Sequence, residues 1–263
     1  GGIDCLEFLT MNALLQDNWF LLPMLALMAG LAALAPLGVQ VLRRGVVFID
    51  LAVAQAAAAA VLWLDAVVLH EDHGLGQLMA TAGALLSAGG VAWMARRWPR
   101  QREALIGLLY IAGATLAMLG ARLDAHGRDR MLELLAADVL WAQPHQVLTL
   151  LICALVVSWL NRDAASRWAR DALFFASFAI VASLAVPALG LFVVFACLIA
   201  PALWVERGVA LRWALAGGMV CSLLGLLLSW RADWPSGACV ALVLAIYGAC
   251  SVCIRDSSST IHA

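Results

Sequence analysis

Between Asp171 and Glu206 the chain runs for 34 residues (positions 172–205) without a charged side chain. As one straight helix this run would measure roughly 51 Å at about 1.5 Å per residue, against a bilayer hydrocarbon core of about 30 Å. A water-soluble domain does not bury such a segment. It must lie in a membrane, and it must be broken or sharply bent. Pro187 and Gly190, near its middle, offer the place.

The same character extends along the chain, which is 65% hydrophobic and 13% charged, with a mean hydropathy of +0.95. Hydropathy windows give candidate spans at 19–42, 46–69, 76–95, 104–121, 145–160, 172–186, 188–205, 209–230 and 235–254. The expected fold is therefore all-α, a polytopic helical membrane protein with about nine spans, or about eight if 172–205 is one kinked span. No linker is long enough to separate domains, so residues 1–254 read as a single transmembrane domain and 255–263 as a polar, disordered tail. Segment 131–141, MLELLAADVLW, is too short and acidic to cross and reads as an amphipathic helix at one surface. The seven Cys lie mostly in apolar runs, where they act as small hydrophobes, and Cys250-x-x-Cys253 is read the same way. The chain opens Gly-Gly without Met and shows no signal peptide, so its natural start is expected to be missing or processed.

All sixteen basic residues are Arg, and their placement sets the orientation. With nine spans and the N-terminus outside, twelve Arg fall on the cytoplasmic side, while Arg122, Arg128, Arg130 and Arg231 stay outside. The reverse orientation breaks the positive-inside rule. Eleven Trp, several near the span ends, suit an interfacial belt.

Polar side chains within the spans are the candidates for function, because a charge at mid-span costs at least about 2.5–3.5 kcal/mol. Asp50 is the clearest, in VVFIDLAVAQ, with Gln55 five residues later and roughly 140° further round a helix. Either these two residues contribute to a translocation path, or Asp50 pairs with the nearby Arg43–Arg44 and reaches the interface. Loop His70-Glu71-Asp72-His73 offers four potential ligands for zinc or manganese on the outer side, or is a solvated loop. His126 and His145 flank the amphipathic segment on the same side. No phosphate-binding Gly-x-x-x-x-Gly-Lys, His-Glu-x-x-His or Gly-x-Ser-x-Gly motif occurs, so an enzyme is the weaker class.

Three stretches, in order, resemble the permease subunit of zinc/manganese-type metal-ion ABC transporters. They are PLGVQVLRRGVVFIDLAVAQAA (36–57), EALIGLLYIAGATLAMLG with LLAADVLWAQPHQV (103–120 and 134–147), and PALGLFVVFACLIAPALWVERG through LSWRADWPSGACVAL (187–208 and 228–242). The third is the most specific; Leu198, Ile199, Pro201, Ala202, Ser229, Asp233, Pro235 and Gly237 stand at positions of that family's motif. The resemblance implies a homodimeric importer permease in the cytoplasmic (inner) membrane, with the substrate path at the dimer axis. Zinc is the expected substrate and manganese the next. A separate ABC ATPase subunit would bind ATP, and an extracytoplasmic metal-binding protein would deliver the ion. No cofactor in this chain and no nucleic-acid partner are expected.

Two positions depart from that family. Its second helix begins with an Asp and a His one turn apart; here Asp50 is present, and Gln55, a poor zinc ligand, stands nearest the His. The Asn161–Arg170 loop is also shorter than the family's ATPase-contacting segment; Arg162, Asp163, Arg167 and Arg170 either make that contact or form a plain basic inner loop. The competing readings are a permease for another small substrate such as a metal chelate, a membrane scaffold without transport, and an ion-coupled carrier. The third disagrees with the three-stretch resemblance.

Overall fold

The charge-free run breaks at Gly190, whose backbone (φ 81°, ψ 153°) lies in a region essentially reserved for glycine. Pro187 stays inside the preceding helix. The break belongs to an all-helical bundle seen in a computed structural model, which describes residues 3–67, 73–123, 139, 142–160 and 167–259. The helices are α1 (Ile3–Arg44), α2 (Ile49–Val67), α3 (His73–Arg97), α4 (Arg102–Ala121), α5 (Pro144–Leu160), α6 (Arg167–Leu189), α7 (Leu191–Glu206), α8 (Leu211–Ala232) and α9 (Ser236–Ser259). No strand occurs among the described residues. Each expected span coincides with one helix. Several helices overrun their expected limits, most of all α1, which begins at Ile3 rather than 19, α6, which begins at Arg167 rather than 172, and α9, which continues to Ser259, into the stretch read as tail. Segment 131–141 lies outside the described residues apart from Val139, which is buried.

Contacts with α1 give the direction of the helices after the break. At the start of α6, Asp171 pairs with Arg44 at the end of α1, and at the end of α6 Leu189 lies against Gly30. Helix α6 therefore runs antiparallel to α1. Further along α7, Leu198 and Ala202 lie against Gly38, nearer the Arg44 end. The chain thus reverses at Gly190 instead of continuing as one kinked rod. Helices α8 and α9 then form an antiparallel pair, with Gly225 against the Val240 backbone and Gly217 against Tyr247.

The protein is a multi-pass membrane protein built of apolar helices. Within α1, α3, α4, α6 and α8, the segments Leu21–Arg44, Gly76–Arg97, Arg102–Ala121, Asp171–Leu189 and Leu211–Ala232 are long and apolar enough to cross a bilayer. The apolar parts of α2, α5, α7 and α9 are shorter; α7 has 16 residues, about 24 Å at 1.5 Å per residue. The most apolar windows of α1 and α6 are 67% and 61% buried, against 28% for α3, α4 and α8, which places α1 and α6 inward of those three. Exposed Leu, Ile and Trp on the outer helices, such as Leu86, Leu108, Leu155 and Trp230, suit a hydrocarbon surround.

Lipid tails are as apolar as leucine, so helices in a membrane hold together by close packing of small residues more than by a hydrophobic force. A Cβ at Gly38 would overlap the Leu198 carbonyl, one at Gly83 would come within 2.7 Å of the Ala56 carbonyl oxygen, and one at Gly225 within 2.6 Å of the Val240 Cα. These approaches join α1 to α7, α2 to α3 and α8 to α9.

The reversal makes Gly190 testable. Gly190→Ala is expected to lower stability by about 1–3 kcal/mol, because alanine cannot adopt this backbone without strain. Gly89→Ala, in the interior of α3 with nothing within 4 Å of an added Cβ, should be neutral or stabilising. Unfolding in detergent micelles checks both, and equal behaviour of the two variants would contradict the reversal.

Candidate functional site

The site is built on the turn between α1 and α2. Helix α1 ends in a Schellman arrangement, with Gly45 at φ 60°, its N–H donating to the Leu42 carbonyl (3.0 Å) and the Val46 N–H donating to Val41 (3.3 Å). Side chains from elsewhere brace this turn. The Val47 N–H donates to Glu103 Oε1 at 3.0 Å, and the Arg102 guanidinium packs over Gly45. On the α1 side, Arg44 donates to Gln40 Oε1 (3.0 Å) and Asp171 Oδ1 (3.2 Å) and stacks 4.2 Å from the Phe174 ring centre. The first residues of α4 and α6 thus fix the point at which α2 enters the bundle.

Asp50 sits in the first turn of α2, where the helix dipole favours an anion. It is 1% exposed, and among the described residues neither carboxylate oxygen has a hydrogen-bond partner of good geometry, only the backbone amides of Asp50 and Leu51 lying near enough to favour its charge. The alternative in which Asp50 pairs with Arg43–Arg44 and reaches the interface does not describe this arrangement, since Arg44 goes to Asp171 and Asp50 is enclosed. A buried carboxylate without a donor or counter-charge costs several kcal/mol, and a bound cation or a proton removes most of that cost. Glu103 Oε2 is likewise buried without a partner.

Gln55 is also buried, at 5% exposure, beside Gly113 of α4, where an added Cβ would come within 3.2 Å of the Gln55 Cβ. No hydrogen bond joins it to Asp50. Both residues lie inside the protomer, closed off from its surface. His70, Glu71, Asp72, Arg162 and Asp163 fall outside the described residues, as does His126. His73 opens α3, and Arg167 and Arg170 lie in the first turn of α6. His145 is exposed in the first turn of α5. Among the described residues no group of three or more His, Cys, Asp or Glu is placed to hold a metal ion.

Sequence reasoning missed three contributors, Arg102, Glu103 and Asp171. Each reads as an ordinary boundary charge, and their partners lie 56 to 127 positions away or on a backbone amide. It also missed a polar link inside the bundle, where Thr81 Oγ1 of α3 lies 3.3 Å from Ser183 Oγ of α6.

The stretch most specific in sequence forms the α8–α9 turn. Ser229 Oγ donates to the Trp234 carbonyl at 2.6 Å, the Trp234 N–H donates to the Ser229 carbonyl at 3.2 Å, and Asp233 caps α8 in the left-handed conformation (φ 54°). Residues 168–254, which contain this turn and the Gly190 reversal, match the model of the ABC 3 transport family. The sequence likeness to an ABC transporter family thus covers the C-terminal third of the chain. Over that region the resemblance to metal-ion ABC permeases read from the sequence stands. A likeness in fold alone covers nearly the whole chain. The structure titled PsaBC from Streptococcus pneumoniae in complex with Fab superposes with a TM-score of 0.71 at 16% identity, covering 92% of this chain and 93% of that one. No curated protein sequence matches.

The enclosure of Asp50 predicts an unusual stability result. Asp50→Ala, which removes an unpartnered buried carboxylate, should leave unfolding in micelles unchanged or raise stability by about 1–3 kcal/mol. A loss of similar size would show that Asp50 is held by a structural partner.

Proposed function

We propose that this chain is the membrane-spanning subunit of an importer that moves a divalent metal ion across the cytoplasmic membrane, with zinc the first candidate and manganese the second. A homodimer would form the pathway, a separate ABC ATPase would supply the energy, and an extracytoplasmic metal-binding protein would deliver the ion. The observation that carries this reading is Asp50, a buried carboxylate at the entry of α2 with no side-chain partner among the described residues, in a chain with an ABC 3 transport match. A translocated cation supplies the missing charge. Carboxylate oxygen suits zinc and manganese alike, so competition must separate them.

Asp50 and Gln55 are enclosed, so in this reading the conformation is one closed to the substrate, and transport parts α2 from α4 to admit the ion. The turn braced by Arg102 and Glu103 would act as the fulcrum. Loop 70–73 would meet arriving metal outside, and Arg162, Asp163, Arg167 and Arg170 would face the ATPase.

Gln55 favours a second reading, because it stands nearest the place where the resembled family carries a histidine. An amide that donates and accepts hydrogen bonds suits a metal chelate better than a bare ion.

ATP-dependent uptake into liposomes holding this chain, its candidate ATPase and its binding protein tests the proposal. Zinc uptake that needs ATP and is inhibited by manganese is expected. Asp50→Asn should abolish uptake while leaving the complex assembled and able to hydrolyse ATP. Uptake of neither metal by an ATP-hydrolysing complex would favour the chelate, and wild-type uptake by the Asp50 variant would remove that residue from the path.

A further inference from the structure

A second site lies between α1 and α8, away from the α1–α2 turn. Met24, Leu27, Met28 and Leu31 of α1 face Met219, Ser222 and Leu223 of α8 across a cavity of about 20 Å³. Met24 and Met28 are four residues apart and stack on one face of α1. Met219 precedes Ser222 by three residues and so shares its face of α8. Three of the eight methionines in the chain line this one small space.

Two features distinguish the cavity from a packing gap closed by flexible side chains. Ser222 is 3% exposed, and its hydroxyl is buried without a hydrogen-bond partner. The space is also the right size for a single water-sized body. Water fits poorly, because a buried water needs two to four polar partners, and here one hydroxyl stands among thioethers, which accept only weakly. Thioether sulfur does suit one class of occupant, the soft monovalent metal ion, and it discriminates against manganese, which prefers oxygen.

We propose that Met24, Met28, Met219 and Ser222 form a binding site for one soft monovalent metal ion, Cu(I) or its analogue Ag(I). The thioethers supply neutral soft ligands, and the Ser222 oxygen supplies a fourth donor whose lone pairs are otherwise unused. Occupancy ties α1 to α8, two helices that also meet beside it through Leu31 and Gly218. The site is independent of Asp50 and of the divalent ion assigned there, so it stands or falls without the transport proposal.

The test uses the full chain in detergent, with accessible thiols alkylated so that cysteine does not capture the metal. Methionine methyl groups are labelled for NMR, and Ag(I) is added. The expected result is about one tightly bound ion per chain, with shifts confined to the methyl resonances of Met24, Met28 and Met219. Replacing all three with leucine conserves volume and should abolish binding while helical content and elution are kept. Ser222→Ala should weaken binding without abolishing it. Absence of binding to the alkylated wild type, or equal binding by the triple variant, would overturn the proposal and leave these residues as packing. Should the triple variant fail to fold, the wild-type methyl shifts decide, and shifts at other methionines would overturn it.

Discussion

The close approach of α1 and α7 at Gly38 is the contact on which the rest of the bundle depends. The Leu198 carbonyl lies where any larger residue at position 38 would place its Cβ. That approach holds α7 along α1 after the chain has reversed at Gly190, and it positions Pro201 beside Gly218 of α8. Without water to drive apolar surfaces together, fit between backbones has to do the work. Glycines at 38, 83, 113 and 225 mark four such places, each facing another helix.

At the arginine-bearing end of the bundle, polar interactions take over from packing. Arg44 meets Asp171, Arg102 covers Gly45, and Glu103 accepts the Val47 N–H. The first and the last satisfy groups that would otherwise be left unpaired where two helices meet. Asp50 lies one turn deeper and has no such partner. Arg44 is paired with Asp171 while the Asp50 carboxylate has no side-chain partner among the described residues, which is the physical basis for the proposal of a cation there.

The helices were legible because hydropathy and length alone identify membrane segments, and each expected span corresponds to a helix. Helix ends were less so. The sequence marked Gly190 as the place for a break in 172–205 but not the outcome, since the backbone conformation and the contacts with Gly30 and Gly38 decide that the chain turns back. At the candidate site, Asp50 stood out as a charge in an apolar run. Its lack of a partner could not be read, because Arg43 and Arg44 stand nearby in sequence while Asp171, which takes Arg44, is 127 positions away. Arg102 and Glu103 left no signal, because a charged pair at a helix start is ordinary. The cavity between α1 and α8 was illegible for a related reason, since methionines at helical spacing look like core until two helices bring them face to face.

The central claim is that Asp50 is bare because it awaits a metal ion. Equilibrium dialysis of the assembled, purified complex against zinc and then manganese, with wild type beside Asp50→Asn, tests it most directly. The account predicts metal bound by the wild-type complex and lost in the variant. Equal binding by both would contradict it and place the substrate elsewhere.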